Sequence, residues 1–298
     1  MSQSPLETVQ PLASLGEWQD DLDLIICDLW GVMHDGIVLH PAADNALVKA
    51  RQAGITTVFL SNAPRPRDHV RSLLASMGMT PALLDNIVTS GGLARDVVRQ
   101  DYKGAALYHL GPDEDHNTVE GLDVRLMESP ENADVILATG LDYRDVADHK
   151  AYLTEAAAKG VPFLCANPDR VVHVGEKLYT CAGAVADLYS DMGGPVTWFG
   201  KPIADSLRAC IGEAGLDTKT IHPDRIVMIG DSLQTDIAGA HAAGVRSILV
   251  GGGIHREHLT CVSAYMVDSQ PIPHKDFSRV FGEGKPIPDA LIEQLVWL

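Results

Sequence analysis

Four places in the sequence carry residue types that could do chemistry together. A centre that handles phosphate groups needs a carboxylate nucleophile, a donor for the phosphoryl oxygens, a cation and acids that hold a metal ion. Each part alone is weak evidence, because Asp often caps a turn or a helix and Lys often lies on the surface. The candidates, in chain order, are Asp28, the pair Ser61 and Asn62, Lys201, and the pair Asp231 and Asp236.

Each of these candidates follows a short apolar run that reads as a buried strand. Asp28 follows Leu24 to Cys27, and Ser61 follows the β-branched run from Ile55 to Leu60. Such runs alternate with segments of helical spacing, and this alternation predicts right-handed crossovers and a parallel sheet. Ligands bind at the carboxyl ends of the strands in such sheets. We therefore expect all the candidates on one rim of one sheet.

The strand and helix pattern changes in the middle of the chain and then returns, which predicts an inserted domain. Near the end, we expect a strand at residues 265–267 and an amphipathic helix at residues 289–297. Residues 171–179 are typical of a hairpin. The predicted organisation is an irregular N-terminal arm at 1–20, a core at 21–86 and 196–298, and an inserted α/β domain at 87–195.

Four segments resemble the motifs of a known family, the haloacid dehalogenase superfamily. The insert, with ANPD at 166–169 and TCAGA at 180–184, resembles the cap of subclass IIA, which includes nitrophenyl-phosphatase-like and sugar-phosphate phosphatases. The resemblance covers about residues 22–255 and implies a doubly wound, Rossmann-like parallel-sheet core with an inserted α/β cap. The four segments are DLWGV at 28–32, FLSN at 59–62, GKP at 200–202 and GDSLQTDI at 230–237.

The resemblance also implies roles for the acids. Asp28 would be the nucleophile and would form an aspartyl-enzyme intermediate. Asp28 and Asp231 would bind Mg²⁺ together with the backbone carbonyl of Trp30. Asp236 would orient a metal-bound water or Lys201 without itself binding the ion.

The resemblance assigns the remaining core candidates to the phosphate. Ser61 would donate its hydroxyl to a phosphoryl oxygen, with help from the Asn62 amide. Lys201 would neutralise charge between the nucleophile and the phosphate. The expected activity is that of a Mg²⁺-dependent phosphatase of small phosphorylated metabolites.

The chain departs from the family pattern at Trp30. Phosphatases of the superfamily carry a second Asp there, which acts as general acid and base, and an indole cannot shuttle a proton. His34 or Asp35 could supply the acid, although both could instead only make contacts in a turn. Alternatively, the substrate has a good leaving group, or the fold serves binding or regulation. A hydrolytic dehalogenase is a further reading, disfavoured because the metal-holding acids are retained.

Four residues of the insert are candidates to face the substrate, because caps of this family close over the site. For Asn167 and Asp169, the alternative is that they only form a tight turn. The acidic segment at 113–115 and Arg65 are expected in solvent. The four candidates are Asn167, Asp169, Cys181 and Gly183.

Composition limits the other function classes. A net charge of −17 over 298 residues argues against broad binding to nucleic acid or to anionic membranes. Five scattered cysteines fit reduced thiols in a cytoplasm. We expect neither a signal peptide nor a membrane-spanning helix. Cap-mediated dimers in the family make a homodimer a further expectation.

Overall fold

The structure, a computed structural model, describes residues 8–141, 144–174, 177–217 and 219–298. No helix within these ranges has the length and apolar character needed to cross a bilayer. The strands are β1 (Thr8–Leu12), β2 (Leu24–Cys27), β3 (Thr56–Ser61), β4 (Ile87–Thr89), β5 (Ala106–Leu110), β6 (Arg125–Leu126), β7 (Val135–Ala138), β8 (Phe163–Cys165), β9 (Val171–Val174), β10 (Lys177–Thr180), β11 (Val196–Trp198), β12 (Ile226–Gly230), β13 (Arg246–Val250), β14 (Ile272–Pro273) and β15 (Ala290–Ile292). The α-helices are α1 (Pro41–Gln52), α2 (Arg67–Ser76), α3 (Ser90–Asp101), α4 (His149–Ala158), α5 (Ala182–Asp191), α6 (Ala204–Glu213), α7 (Ala238–Ala243), α8 (Arg256–Val267) and α9 (His274–Phe281).

The first of two compact units contains the described residues up to Leu60, together with Arg71–Ile87 and Lys201–Leu298. Its sheet has the strand order β14-β1-β15-β13-β12-β2-β3-β4. Strands β1, β15, β13, β12, β2 and β3 pair in parallel, and β14 is antiparallel to β1. All residues of β2 and β12 are buried, as expected for strands with covered faces. The predicted α/β class with a parallel-sheet core is confirmed.

The second unit contains Ser61–Val70 and Val88–Gly200. It therefore includes residues 61–70, which the sequence pattern had assigned to the core. Its five-stranded sheet is parallel throughout, in the order β11-β8-β7-β5-β6. The predicted hairpin is formed by the antiparallel pair β9 and β10, and residues 175–176 between them lie outside the described residues.

Three expectations near the chain ends are wrong. Residues 8–12 are not an irregular arm, because β1 pairs with β15 on one side and β14 on the other. Residues 290–292, expected in a helix, form β15. Sheet neighbours far along the chain supply the hydrogen bonds here, and local periodicity does not reveal them. Residues 265–267, expected as a strand, form the last turn of α8.

Candidate active site

Two neighbouring strands of the first unit place the central carboxylates. Asp28 directly follows β2 and donates its backbone N–H to the carbonyl of Ile229 over 2.8 Å. Asp231 directly follows β12, which pairs in parallel with β2. Both side chains therefore start from the same edge of the sheet. Carboxylate oxygens of Asp28, Asp231 and Asp236 lie within 4.8 Å of one another, and all three residues are buried.

A tight turn after β12 returns Asp236 to this edge. Leu233–Ile237 forms a π-helical turn, and the Ser232 hydroxyl accepts a hydrogen bond from the Thr235 N–H at its start. Such turns are frequent at functional sites. Asp236 Oδ2 accepts the Ser232 N–H over 3.0 Å. A Cβ on Gly230 would lie 2.0 Å from Asp236 Cγ, so the carboxylate folds back onto a position that only glycine can occupy.

Lys201 is the cation among these acids. Its Nζ donates to Asp28 Oδ1 and lies 2.7 Å from Asp236 Oδ1, and the side chain is 3% exposed. Burial by itself would lower the pKa of this Lys, but the two carboxylates outweigh burial and raise it above its ordinary value. Lys201 is therefore charged and shared between the two acids.

Three buried carboxylates face this single ammonium group, which leaves negative charge in excess. Burial raises the pKa of Asp28 well above its usual range, against the influence of Lys201. Burial and, next, Asp236 raise the pKa of Asp231 to about 7. A divalent cation would relieve this repulsion, and oxygen donors are those that Mg²⁺ prefers. The donor set therefore fits Mg²⁺.

Backbone approaches on two sides hold Asp231 in place. Its Oδ2 accepts the Ile254 N–H over 3.0 Å. A Cβ on Gly31 would lie 2.0 Å from this oxygen, and one on Gly253 would lie 2.2 Å from it. Both glycines leave the space that the carboxylate fills. Sequence reasoning missed Gly253, whose only local signal is its place in a run of three glycines at 251–253.

Trp30 lies in a short flap after Asp28. Its ring meets the His34 ring edge-on, with centroids 5.6 Å apart, and it also packs against Gly36. His34 Nδ1 accepts the Gly36 N–H over 3.0 Å, so a neutral His34 carries its proton on Nε2. Burial lowers the pKa of His34.

Asp35, the other candidate acid, caps the turn of the flap. Its carboxylate accepts the N–H groups of Ile37 and Val38 over 2.9 and 2.8 Å. These two bonds lower its pKa below the ordinary Asp value. An ionised carboxylate has no proton to donate, so the structure argues against Asp35 as the general acid.

The second unit brings several sequence-predicted residues together. Ser61 ends β3, and the Asn62 amide donates to Asp169 Oδ1 over 2.9 Å. Asn167 Oδ1 accepts the Asp169 N–H over 3.2 Å, which is a turn of the Asx type. The Gly183 N–H donates to the Asp169 carbonyl over 3.1 Å. The expected tight turn is therefore present, and its Asp side chain is directed to Asn62.

The second unit also contains Cys181, which the sequence analysis placed among the substrate-facing candidates. Burial raises the pKa of Cys181 to about 12, which keeps the thiol protonated and a poor nucleophile.

Asp115, which was expected in a solvated turn, is 4% exposed and lies 2.7 Å from the Arg65 guanidinium. Sequence reasoning missed this ion pair because fifty residues separate its partners and no local pattern links them.

Comparison with known proteins identifies the family. Residues 25–125 match the model of the haloacid dehalogenase-like hydrolases, and residues 198–269 match a second HAD-hydrolase-like model. A haloacid dehalogenase-like hydrolase from Brucella suis 1330 is 30% identical, with a TM-score of 0.75 over 96% of this chain and 100% of that chain. The chain belongs to the haloacid dehalogenase-like hydrolases. The resemblance inferred from the motifs is confirmed, and the protein is a hydrolase.

Two further relatives can be aligned with most of this chain. Ribonucleotide monophosphatase NagD of Escherichia coli K12 is 28% identical over 234 residues, which are 77% of this chain and 88% of that protein. Chronophin of Rattus norvegicus is 26% identical over 264 residues, which are 84% of this chain and 83% of that protein. The match therefore extends across both units rather than being confined to the motifs.

Proposed function

We propose that the protein is a metal-dependent phosphatase of small phosphorylated metabolites that acts through an aspartyl-phosphate on Asp28. The observation that carries this proposal is the buried contact of Lys201 with Asp28 and Asp236, beside the third carboxylate of Asp231. A monophosphatase among the relatives supports the substrate class.

The geometry supports a two-step displacement at phosphorus. A carboxylate oxygen of Asp28 attacks the phosphorus, and the bond from phosphorus to the leaving oxygen breaks, with its electron pair going to that oxygen. Water then hydrolyses the acyl phosphate and restores Asp28. Lys201 lets two anions approach, because its charge offsets that of the carboxylate and the incoming phosphoryl group. The Ser61 hydroxyl donates to a phosphoryl oxygen.

The metal would be held by Asp28, Asp231 and the backbone carbonyl of Trp30. When bound there, Mg²⁺ supplies positive charge that stabilises the phosphoryl oxygens as the bond breaks. Asp236 contacts Lys201 and the Ser232 N–H, so it orients the ammonium group and stays outside the ligand set.

Trp30 narrows the range of substrates. The indole donates no proton to a leaving group, and Asp35 is ionised, which leaves His34 Nε2 as the candidate donor closest in sequence. We propose that aryl and acyl phosphates, whose leaving groups need no acid, are hydrolysed faster than alkyl phosphates. Trp30 also motivates the competing function, a binding or regulatory protein that retains the metal site without turnover.

A panel of phosphate esters, assayed with and without Mg²⁺, tests this function. Hydrolysis of an activated aryl phosphate should require Mg²⁺, and Asp28→Asn should reduce it by about 10³-fold or more. Asp35→Asn is the matched control, because this exposed flap acid only caps a turn. Absence of turnover across the panel, together with tight metabolite binding, would favour the binding protein instead. Halide release from haloacids in the presence of a chelator would favour a dehalogenase.

The thiols support a proposal for the cellular setting. All five cysteines are free, which supports a reducing compartment, and we propose the cytoplasm. The homodimer expected from the family stays a prediction that size-exclusion chromatography with light scattering can test.

A further inference from the structure

We propose that Asp169 is a positioning residue for the reaction, which acts through Asn62 on the peptide that carries Lys201. The inference rests on the proposed function and extends it to a residue in the inserted unit. It departs from the expectation that Asp169 contacts the substrate itself.

The Asn62 side chain is clamped on both sides within the second unit. It is 9% exposed, and its Nδ2 donates to Asp169 Oδ1 over 2.9 Å. A Cβ on Gly200 would lie 2.5 Å from Asn62 Oδ1 and 2.2 Å from Ser90 Oγ. Gly200 also has φ of +98°, where side chains are strained. The Gly200 backbone therefore packs directly against the Asn62 carboxamide.

The backbone after Asn62 is held independently of Asp169. The Ala63 carbonyl accepts the Gly91 N–H over 3.1 Å. The carbonyls of the next two residues, 64 and 65, accept the hydroxyls of Thr118 and Thr89, each over 2.7 Å. Loss of the Asp169 carboxylate would thus leave these backbone hydrogen bonds in place and remove the bond that orients the Asn62 side chain. A rate loss in an Asp169 variant can therefore be assigned to positioning of Asn62 and not to unfolding of the loop.

Asp169 is itself oriented by its backbone. Its N–H and its carbonyl are both bonded, to Asn167 Oδ1 and to the Gly183 N–H. A Cβ on Gly183 would lie 2.5 Å from the Asp169 carbonyl oxygen, so α5 begins in direct contact with this peptide. The carboxylate is therefore presented to Asn62 from a fixed backbone.

Gly200 immediately precedes Lys201, and this links the clamp to the chemistry. Lys201 Nζ contacts Asp28 and Asp236, so its backbone must keep its place for the ammonium group to reach both. A displacement of about 1 Å at a catalytic group can lower the rate about 100-fold. Since Lys201 acts on charge that develops in the transition state, the loss should fall on kcat more than on KM.

The test is a double-mutant cycle with an aryl phosphate as substrate. Asp169→Ala should lower kcat about 10- to 100-fold with KM within about twofold, and Asp169→Asn, which keeps an acceptor oxygen, should recover most of the loss. The double variant with Asn62→Ala should lose no more than Asn62→Ala alone. Asp191→Ala is the matched control, since this exposed acid at the end of α5 in the same unit should leave both constants unchanged.

Hydrogen–deuterium exchange of the peptide spanning residues 198–203 gives a readout that needs no turnover. Exchange should rise in Asp169→Ala and stay at the wild-type level in Asp191→Ala. Unchanged exchange overturns the inference, as do additive losses in the cycle or a raised KM at constant kcat, which would indicate direct substrate contact. If the wild type hydrolyses no ester, the proposed function fails and the exchange result alone decides whether Asp169 positions this peptide.

Discussion

Replacement of Gly253 by alanine should disable the proposed metal site through Asp231. A Cβ at position 253 would lie 2.2 Å from Asp231 Oδ2 and 2.4 Å from Asp231 Cβ. Gly253 does not have a left-handed backbone, so the added methyl group meets no conformational penalty of its own. The whole effect should therefore pass through the contact with Asp231.

The size of the effect follows from the contact between the added methyl group and the Asp231 Cβ. Carbon atoms approach to about 3.5 Å, so the two Cβ atoms must separate by about 1 Å. Rotation of the Asp231 side chain does not move its Cβ, and the loop after β12 must shift instead. That shift breaks the 3.0 Å bond from Ile254 to Asp231 Oδ2. A bond to a charged group contributes about 1.5–3 kcal/mol, and relief of repulsion with Asp236 places the net loss of stability near the lower value.

The assays are Mg²⁺ titration by calorimetry, kcat/KM with an aryl phosphate, and urea unfolding. We expect Gly253→Ala to lower kcat/KM about 100-fold and Mg²⁺ affinity by a comparable factor, because Asp231 no longer faces Asp28. Gly212→Ala is the matched control. Gly212 lies in α6 with open space around its Cβ position, so alanine there should raise the free energy of unfolding by about 0.5–1 kcal/mol. Wild-type affinity and turnover in Gly253→Ala would refute the reasoning.

Four further predictions concern single residues. Lys201→Met leaves Asp28 and Asp236 without their cation and should lower the free energy of unfolding, measured in urea without metal, by about 3–5 kcal/mol. Mg²⁺ should restore part of this stability, and equal stability of variant and wild type would contradict the buried ion pair. Trp30→Asp should raise kcat for alkyl phosphates by about 10²-fold or more and barely change it for nitrophenyl phosphate. His109 has a pKa that burial lowers to about 4, so the unfolded chain takes up a proton first. The contribution of His109 to the free energy of unfolding should therefore be fully present above about pH 6.5 and fall by about 3 kcal/mol towards pH 4. His109→Gln should reduce this loss. Iodoacetamide should label Cys261 before the other four cysteines, which are buried, and mass spectrometry of the peptides will show the order.

The parallel core and its central acids could be predicted because both depend on short segments. Apolar runs such as Leu24–Cys27 are buried strands wherever helices cover both faces of a sheet. An acid directly after such a strand lies at the carboxyl edge, so the sequence alone predicts that Asp28 and Asp231 lie near each other. The fold confirms the strands on which this expectation depends.

Features formed by distant parts of the chain could not be predicted in this way. Residues 8–12 and 290–292 are strands because they pair with each other across the length of the chain. Asp115 is buried because Arg65 reaches it, whereas a run of acids by itself indicates solvent. Long-range pairing leaves no trace in local periodicity.

The sequence by itself determined which residues could do chemistry and the strand ends on which they lie, because side-chain type and strand burial are properties of short segments. Only the tertiary structure decided how these residues are held. It places the Lys201 ammonium between two carboxylates, leaves room for Asp231 beside Gly253, and directs Asp169 to Asn62. These outcomes depend on distances of a few ångströms between segments separated by tens to hundreds of residues, and packing alone sets such distances.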